Sequence, residues 1–397
     1  MNFDLTDDQQ KRYDDTLEAV RYHLDGEPEQ GAEHIFTRTR WKEAARLGLT
    51  SLCVPDEFGG GGLGALDTSL SLEAFGRGCA DTGLVFAVAA HLLACAVPIR
   101  DFAGPGVREE LLGGLASGEL IAANAMTEDD AGSDIGRLDT VARRDGDGRH
   151  GQHGEESEES EDGRGYVLDG EKSFASNAPA ADVIVTYATT DARAGFLGLT
   201  AFAVPRELPG VSVGEPLRKM GLHGCPAGRV AFTACRVPAS HRLGTEGQGA
   251  AVFQHSMAWE RACLFACYLG MMERQLERCV EHAQERRQFG RAISGFQAVS
   301  HRIAVMRQRL DAARLLLRRA CWLLDEGRDN TLAVALAKVS VSEAAVANSL
   351  DAVQIFGGAG FLAPTGIERN LRDAVPSTIF SGTTEVQREL IAREMGL

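Results

Sequence analysis

The hydrophobic period of this 397-residue chain changes twice, and that constrains the fold more than any other feature. Across 1–120, apolar residues recur at helical spacing. "TDDQQKRYDDTLEAVRYHL" opens on Thr6, a cap-type residue, and "TRWKEAARLGL", "ALDTSLSLEAFGRG" and "TGLVFAVAAHLLACAVPI" follow. The last is apolar nearly all round and reads as a buried helix. Across 121–241 the segments are short, β-branched or alternating, and bounded by Gly, Pro and Asp. "LIAANAM", "LDTVARR", "GYVLDG", "DVIVTYAT", "LTAFAVP" and "GRVAFTACRV" predict a compact antiparallel sheet or barrel. From 242 to 397 the chain is helical again, in long pieces at 247–286, 296–327, 330–356 and 383–396, as in an antiparallel bundle. The expected fold is α+β. It has an N-terminal helical domain (1–120), a middle β-sheet or barrel domain (121–241) and a C-terminal four-helix bundle domain (242–397).

The charge balance narrows the partners. A net charge of −15 argues against nucleic acid. Part of it is local: residues 145–165 hold eight acids and two arginines in a Gly/Ser/Glu-rich context, expected to be a disordered hairpin tip. The acidic, polar start does not read as a secretory signal. The apolar run 84–99 contains His91 and is shorter than the roughly 20 residues of a membrane span. Nine cysteines show no CxxC pair, which suits reduced thiols in a cytoplasmic core. "FGGGGLG" (58–64) contains GxGxxG but lacks the strand–turn–helix context of a dinucleotide fold. Ten histidines show no ligand spacing, so no metal is expected.

Several segments carry candidate chemistry. On a helix, Glu260 shares a face with Phe253, Ser256, Met257, Cys263, Leu264, Cys267 and Met271, nearly all apolar, while Arg261 is rotated off that face. Burial there raises a carboxylate's pKa and prepares a general base; the other reading is an edge Glu paired to an arginine. "NAMTEDDAGSD" (124–134) is either a capped turn or a strand-end loop offering hydroxyls and N–H groups to a phosphate or polar ring. In "ERRQFGRAISGFQ" (285–297), Arg286 and Arg287 suit either a helix C-terminus or a phosphate. The glycines of "QIFGGAGF" (354–361) allow close backbone approach.

Together these segments resemble the acyl-CoA dehydrogenase family over nearly the whole chain, apart from 145–165. "MTEDDAGSD", "LDGEKSFASNA", "ERRQFGRAISGFQ", "QIFGGAGF" and "RDAVPSTIFSGTTEVQ" stand in the family's order and spacing. The resemblance implies FAD and dehydrogenation of an acyl thioester. A carboxylate takes the α-proton and flavin N5 takes the β-hydride. Met126, Thr127 and Ser133 match the loop that hydrogen-bonds the flavin ring and pyrophosphate. Phe174 and Ser176 match residues flanking the flavin. Arg286, Phe289, Gln297, Gln354 and Gly358 match residues reaching the FAD of a neighbouring subunit, which implies a homo-oligomer, commonly a tetramer. Thr383 and Glu385 match the loop near the pyrophosphate and ribityl chain.

Many family members carry the catalytic Glu in the last loop, where this chain has Ser381. A minority carry it on the earlier long helix, followed by Arg or Lys, and Glu260–Arg261 match that arrangement. The resemblance then gives Glu260 the role of base. It gives the backbone N–H of Ser381 to the thioester oxygen. Within the family, "HSMAWERAC", "NAPAADV" and "IFSGT" are most similar to the branch that oxidises prolyl groups tethered to a peptidyl carrier protein. Arg261 is a candidate for contacting the substrate as part of a local basic patch, which an acidic carrier protein would need. Branched-chain acyl-CoA dehydrogenases share the helix-borne Glu, so a CoA substrate stays open, as does a flavin monooxygenase on the same scaffold.

Overall fold

The computed structural model describes residues 4–24, 36–145 and 165–397. The expected disordered tip falls outside these residues, except for its ends, Asp145 and Gly165.

The first third folds into α1 (Asp7–Leu24), α2 (Arg38–Arg46), α3 (Ala65–Gly78), α4 (Thr82–His91), α5 (Val97–Phe102) and α6 (Pro105–Ser117). Thr6 caps α1 reciprocally: its hydroxyl accepts from the Gln9 N–H and its own N–H donates to Gln9 Oε1, each at 3.2 Å. Between α4 and α5 the helix widens into a π turn, Leu92–Ala96. Pro98 accounts for it. A proline has no N–H for the carbonyl four residues back and its ring collides with that turn, so the helix relaxes locally instead of breaking. The combined 21-residue helix is long and apolar enough to cross a membrane, longer than the 84–99 run suggested, yet its apolar window is wholly buried inside the protein. His91 ties it down. Its Nε2 lies 3.1 Å from Leu115 O, its Nδ1 accepts from the Ala122 N–H at 3.0 Å, and burial pushes its pKa down to about 4, so it stays neutral.

The middle third contributes β1 (Ala122–Ala125), β2 (Val141–Arg144), β3 (Tyr166–Ser176), β4 (Val183–Thr189), β5 (Leu199–Pro205), β6 (Val211–Val213), β7 (Ala227–Val237) and β8 (Arg242–Leu243). They form one sheet in the order β6-β7-β3-β1-β4-β5-β8, with β2 paired to both β3 and β4. The sheet is mixed, not antiparallel throughout: β1 runs parallel to β4, in register from Ala122↔Val183 to Ala125↔Thr186. The reason is topological. β3 and β4 run in opposite directions on either side of β1, so only one of them can be antiparallel to it. Alternation along β3 puts Tyr166 and Leu168 into the core, with Phe202 and Phe232.

The last third is α7 (Gly249–Trp259), a second π turn (Glu260–Leu264), α8 (Ala266–Glu285), a hairpin of β9 (Arg287–Gln288) and β10 (Arg291–Ala292), α9 (Gln297–Asp325), α10 (Thr331–Phe356), the short α11 (Gly358–Phe361), α12 (Ile367–Ala374) and α13 (Thr384–Glu394). α7 packs on β5 and α5, whereas α8 packs on α3, α9 and α10. The α3–α8 crossing is close because both helices present glycine: a Cβ on Gly270 would meet Glu73 O at 2.0 Å, and one on Gly76 would meet Cys267 O at 2.2 Å. Asp325, at the end of α9, caps α3 by accepting from the N–H groups of Ala65 and Leu66 at 2.5 and 2.9 Å. These contacts join the N-terminal helices to the bundle, and the sheet closes against their common edge.

Candidate active site

At that edge a cavity of about 500 Å³ is lined by several pieces of chain, four of which carry site candidates. These four are the loop after β1 (Met126, Thr127, Ser133), the end of β3 (Phe174, Ser176), the second π turn (Glu260, Arg261) and the loop before α13 (Ser381, Gly382, Thr383). All of these but Gly382 were candidate cofactor, base or substrate residues, so nine such candidates meet in one place.

The wall from β3 is shaped by a bulge. Lys172 pairs with Val230 and Ala175 with Gly228, so β3 spends one residue more than β7 between these pairs. The extra residue lets Phe174 take a left-handed backbone, φ +58°, and stand 62% exposed at the cavity instead of inside the sheet. Such a conformation is unfavourable for a non-glycine residue and persists only where its surroundings impose it. Here they do. Ser173 donates its N–H to Thr127 O at 2.8 Å and its hydroxyl to Asp129 at 2.6 Å. Lys172 is fully buried and donates to Glu128 Oε1 at 2.7 Å and Met126 O at 3.3 Å. Glu128 in turn accepts from the N–H groups of Asp139 and Thr140 at 2.6 and 3.0 Å. One buried ion pair thus fixes the strand-end loop against the bulge. Burial lowers the Lys172 ammonium to about 8. Burial pushes the Glu128 carboxyl up, but the Lys172 charge and the hydrogen bonds outweigh it and hold the pKa below the usual range.

Glu260, 7% exposed, lines the same cavity. Burial raises its pKa, and the Ser381 hydrogen bond and the Arg261 charge oppose that only in part. The Ser381 hydroxyl donates to Glu260 Oε1. The Ser381 carbonyl accepts from Arg261 Nε at 2.8 Å and from Gln387 Nε2 at 3.3 Å. Ser381 itself is left-handed, φ +56°. Arg261, expected to point off the Glu260 face, lines the same cavity. The π turn explains this: it spreads more residues around one turn, so neighbours are separated by a smaller angle than in an α-helix. Phe253 and Met257 share the cavity lining with Glu260, whereas Ser256, Cys263, Leu264, Cys267 and Met271 from the same expected face are buried and do not line it.

The remaining candidates lie elsewhere. Thr383 lines the cavity, and its hydroxyl also caps α13 by accepting from the Val386 N–H at 3.3 Å. Glu385 is exposed outside the lining. Arg286, Phe289, Gln297, Gln354 and Gly358 are all exposed, and none lines the cavity. They gather where the ends of α8 and α10 meet, held by the His282 ring stacked on Phe356 at 4.1 Å. Phe289 forms the tip of the β9–β10 hairpin with Gly290, at φ +50° and +79°, and is 93% exposed.

Comparison with known proteins agrees with this architecture. The acyl-CoA dehydrogenase N-terminal, middle and C-terminal domain families match residues 6–119, 123–235 and 247–396. The chain belongs to the acyl-CoA dehydrogenase family. An L-prolyl-[peptidyl-carrier protein] dehydrogenase from Pseudomonas fluorescens is 54% identical over 369 residues, 92% of this chain and 93% of that protein. A protein of the same name from a Serratia strain is 42% identical across 100% of this chain and 99% of its own length. Among solved structures, PigA with FAD and proline superposes with a TM-score of 0.91 at 42% identity, covering 100% of both chains. The prolyl acyl carrier protein oxidase AnaB gives 0.91 at 35% identity, covering 99% of this chain and 100% of its own.

Two parts of this acyl-CoA dehydrogenase-family site escaped the sequence reading. The Lys172–Glu128 pair is one; its signal was a lysine at an inward position of the alternating strand "YVLDGEKSFAS", a place where a charge needs a partner. The Ser381 side chain is the other. It has no local signal, because its partner lies 121 residues away.

Proposed function

We propose that this chain is an FAD-dependent dehydrogenase of a prolyl thioester held on a carrier protein, with Glu260 as the base. The observation that carries the reading is Glu260 itself: a desolvated carboxylate in the wall of a cavity that also holds an aromatic ring, Phe174, kept exposed by a strand bulge. The two relatives named as prolyl-carrier-protein dehydrogenases and the neighbour solved with FAD and proline support the substrate class.

The residues present fit the flavin. Phe174 offers a ring face that the protein itself leaves uncovered, and the Thr127, Ser133 and Ser176 hydroxyls line the same cavity. Asn124, also in the lining, has a buried Oδ1 with no partner among the described residues. Met126, Thr127, Ser133, Phe174, Ser176 and Thr383 would hold the cofactor. When bound, FAD supplies the acceptor for the β-hydride.

The chain's own residues supply the other half of the reaction. Glu260 receives the α-proton, and burial makes its carboxylate a stronger base than an exposed one. The thioester oxygen gains negative charge as that proton leaves, and the Ser381 N–H is the donor assigned to it. The apolar residues around Glu260 exclude water. Incubating the protein with prolyl-carrier protein and with short acyl-CoAs, followed by mass spectrometry, tests the substrate. Loss of two or four hydrogens from the prolyl carrier is expected; oxidation of the acyl-CoAs alone would overturn the carrier assignment.

The same reading makes the enzyme a homo-oligomer, with Arg286, Phe289, Gln297, Gln354, Gly358 and Glu385 serving a neighbouring copy. A 93%-exposed phenylalanine on a backbone conformation that disfavours it supports this. Sedimentation of the FAD-loaded protein is expected to show an assembly, commonly a tetramer, and a stable loaded monomer would refute it.

A further inference from the structure

Ser381 is bound on both sides at once. Its hydroxyl donates to Glu260 Oε1, the one hydrogen bond to that carboxylate among the described residues. Its carbonyl is held by Arg261 from the π turn and by Gln387 from α13, at 2.8 and 3.3 Å. The residue sits at φ +56° although a glycine, Gly382, follows at φ +86°. A serine in the left-handed region is strained, and here the strain accompanies a side chain engaged by the base. The other groups facing Glu260 are Arg261 beside it, Cys95 from the first π turn and Tyr187 from β4. None of these forms a hydrogen bond to it. The orientation of the carboxylate is thus left to Ser381.

We infer that the Ser381 side chain is a positioning residue for Glu260: it holds Oε1 and leaves Oε2 as the oxygen that takes the substrate proton, with Arg261 and Gln387 fixing the loop that carries it. This rests on Glu260 being the base, and it gives the loop a function in addition to its backbone N–H.

The sign of the expected effect follows from the donor. A hydroxyl donating to a carboxylate stabilises the ionised form, so its removal lets Glu260 keep its proton to higher pH. In the FAD-loaded Ser381→Ala enzyme, the acid limb of the pH profile of kcat/KM is expected to move up by about one unit, with kcat reduced roughly ten-fold and KM little changed. Ser381→Gly, which keeps the left-handed backbone without the hydroxyl, is expected to shift alike. Infrared titration of the substrate-free holoenzyme, with Glu260→Gln subtracted to isolate its carboxyl band, is expected to move in the same direction. A wild-type acid limb and band position in both Ser381 variants would overturn the inference, provided Glu260→Gln is inactive. If Glu260→Gln turns over normally, the base assignment fails first and this inference with it.

Discussion

Replacing Glu260 by Gln is expected to reduce turnover by about 10²–10⁴-fold or more while FAD remains bound and the fold intact. The amide has nearly the shape of the carboxylate and still accepts the Ser381 hydroxyl, so packing around the π turn is kept. What is lost is a site for the α-proton. Flavin absorbance per chain and steady-state rates, measured on the same preparation, check both halves. Equal flavin loading with unchanged turnover would remove Glu260 from the mechanism. The wild-type rate should also rise with pH through the raised pKa of Glu260, since only the ionised form accepts a proton. Its acid limb is expected above 4.5, the ordinary value for Glu.

Glu128→Ala is expected to destabilise the protein by about 3–5 kcal/mol, because it strands a buried ammonium. The Lys172 Nζ keeps only the Met126 carbonyl, and the N–H groups of Asp139 and Thr140 lose their acceptor. Both ends of the 126–140 loop are then released, so FAD loading should fall as well. Urea unfolding monitored by fluorescence, together with flavin content, tests this; a midpoint within experimental error of wild type would exclude it. The pH dependence is fixed by the two partners. Glu128 titrates below its ordinary value of 4.5, so its contribution is present above 4.5 and lost as pH falls through the lowered pKa. In the variant Lys172 has lost the Glu128 charge and hydrogen bond that raise its pKa, so it sheds its proton below 8 and the penalty for stranding it fades from there upward. The gap between wild type and Glu128→Ala is expected to be widest between these limits.

Much of this was legible in the sequence because it rests on local periodicity. The helical, β and helical thirds follow from spacing alone, and the apolar stripe through Phe253, Met257 and Leu264 offered a buried acid at Glu260 as one of two readings. What was not legible depends on distant partners or on backbone detail. The parallel pairing of β1 with β4 follows from strand order, which no window of sequence contains. The first π turn had a cue in Pro98. The second has none, so Arg261 was placed off the face it actually shares. The Ser381 hydroxyl and the Lys172–Glu128 pair are tertiary contacts, visible beforehand only as polar residues in unpromising positions.

The π turn at Glu260 has a mechanical meaning as well. α7 and α8 are one continuous rod that must fit two neighbours, the sheet on one side and the bundle on the other. Those neighbours demand different rotational phases, and a uniform α-helix can satisfy only one. One surplus residue absorbs the mismatch. The acid therefore stands where the rod changes partners, and removing a single residue from this turn would put one half of the rod out of phase with its partner.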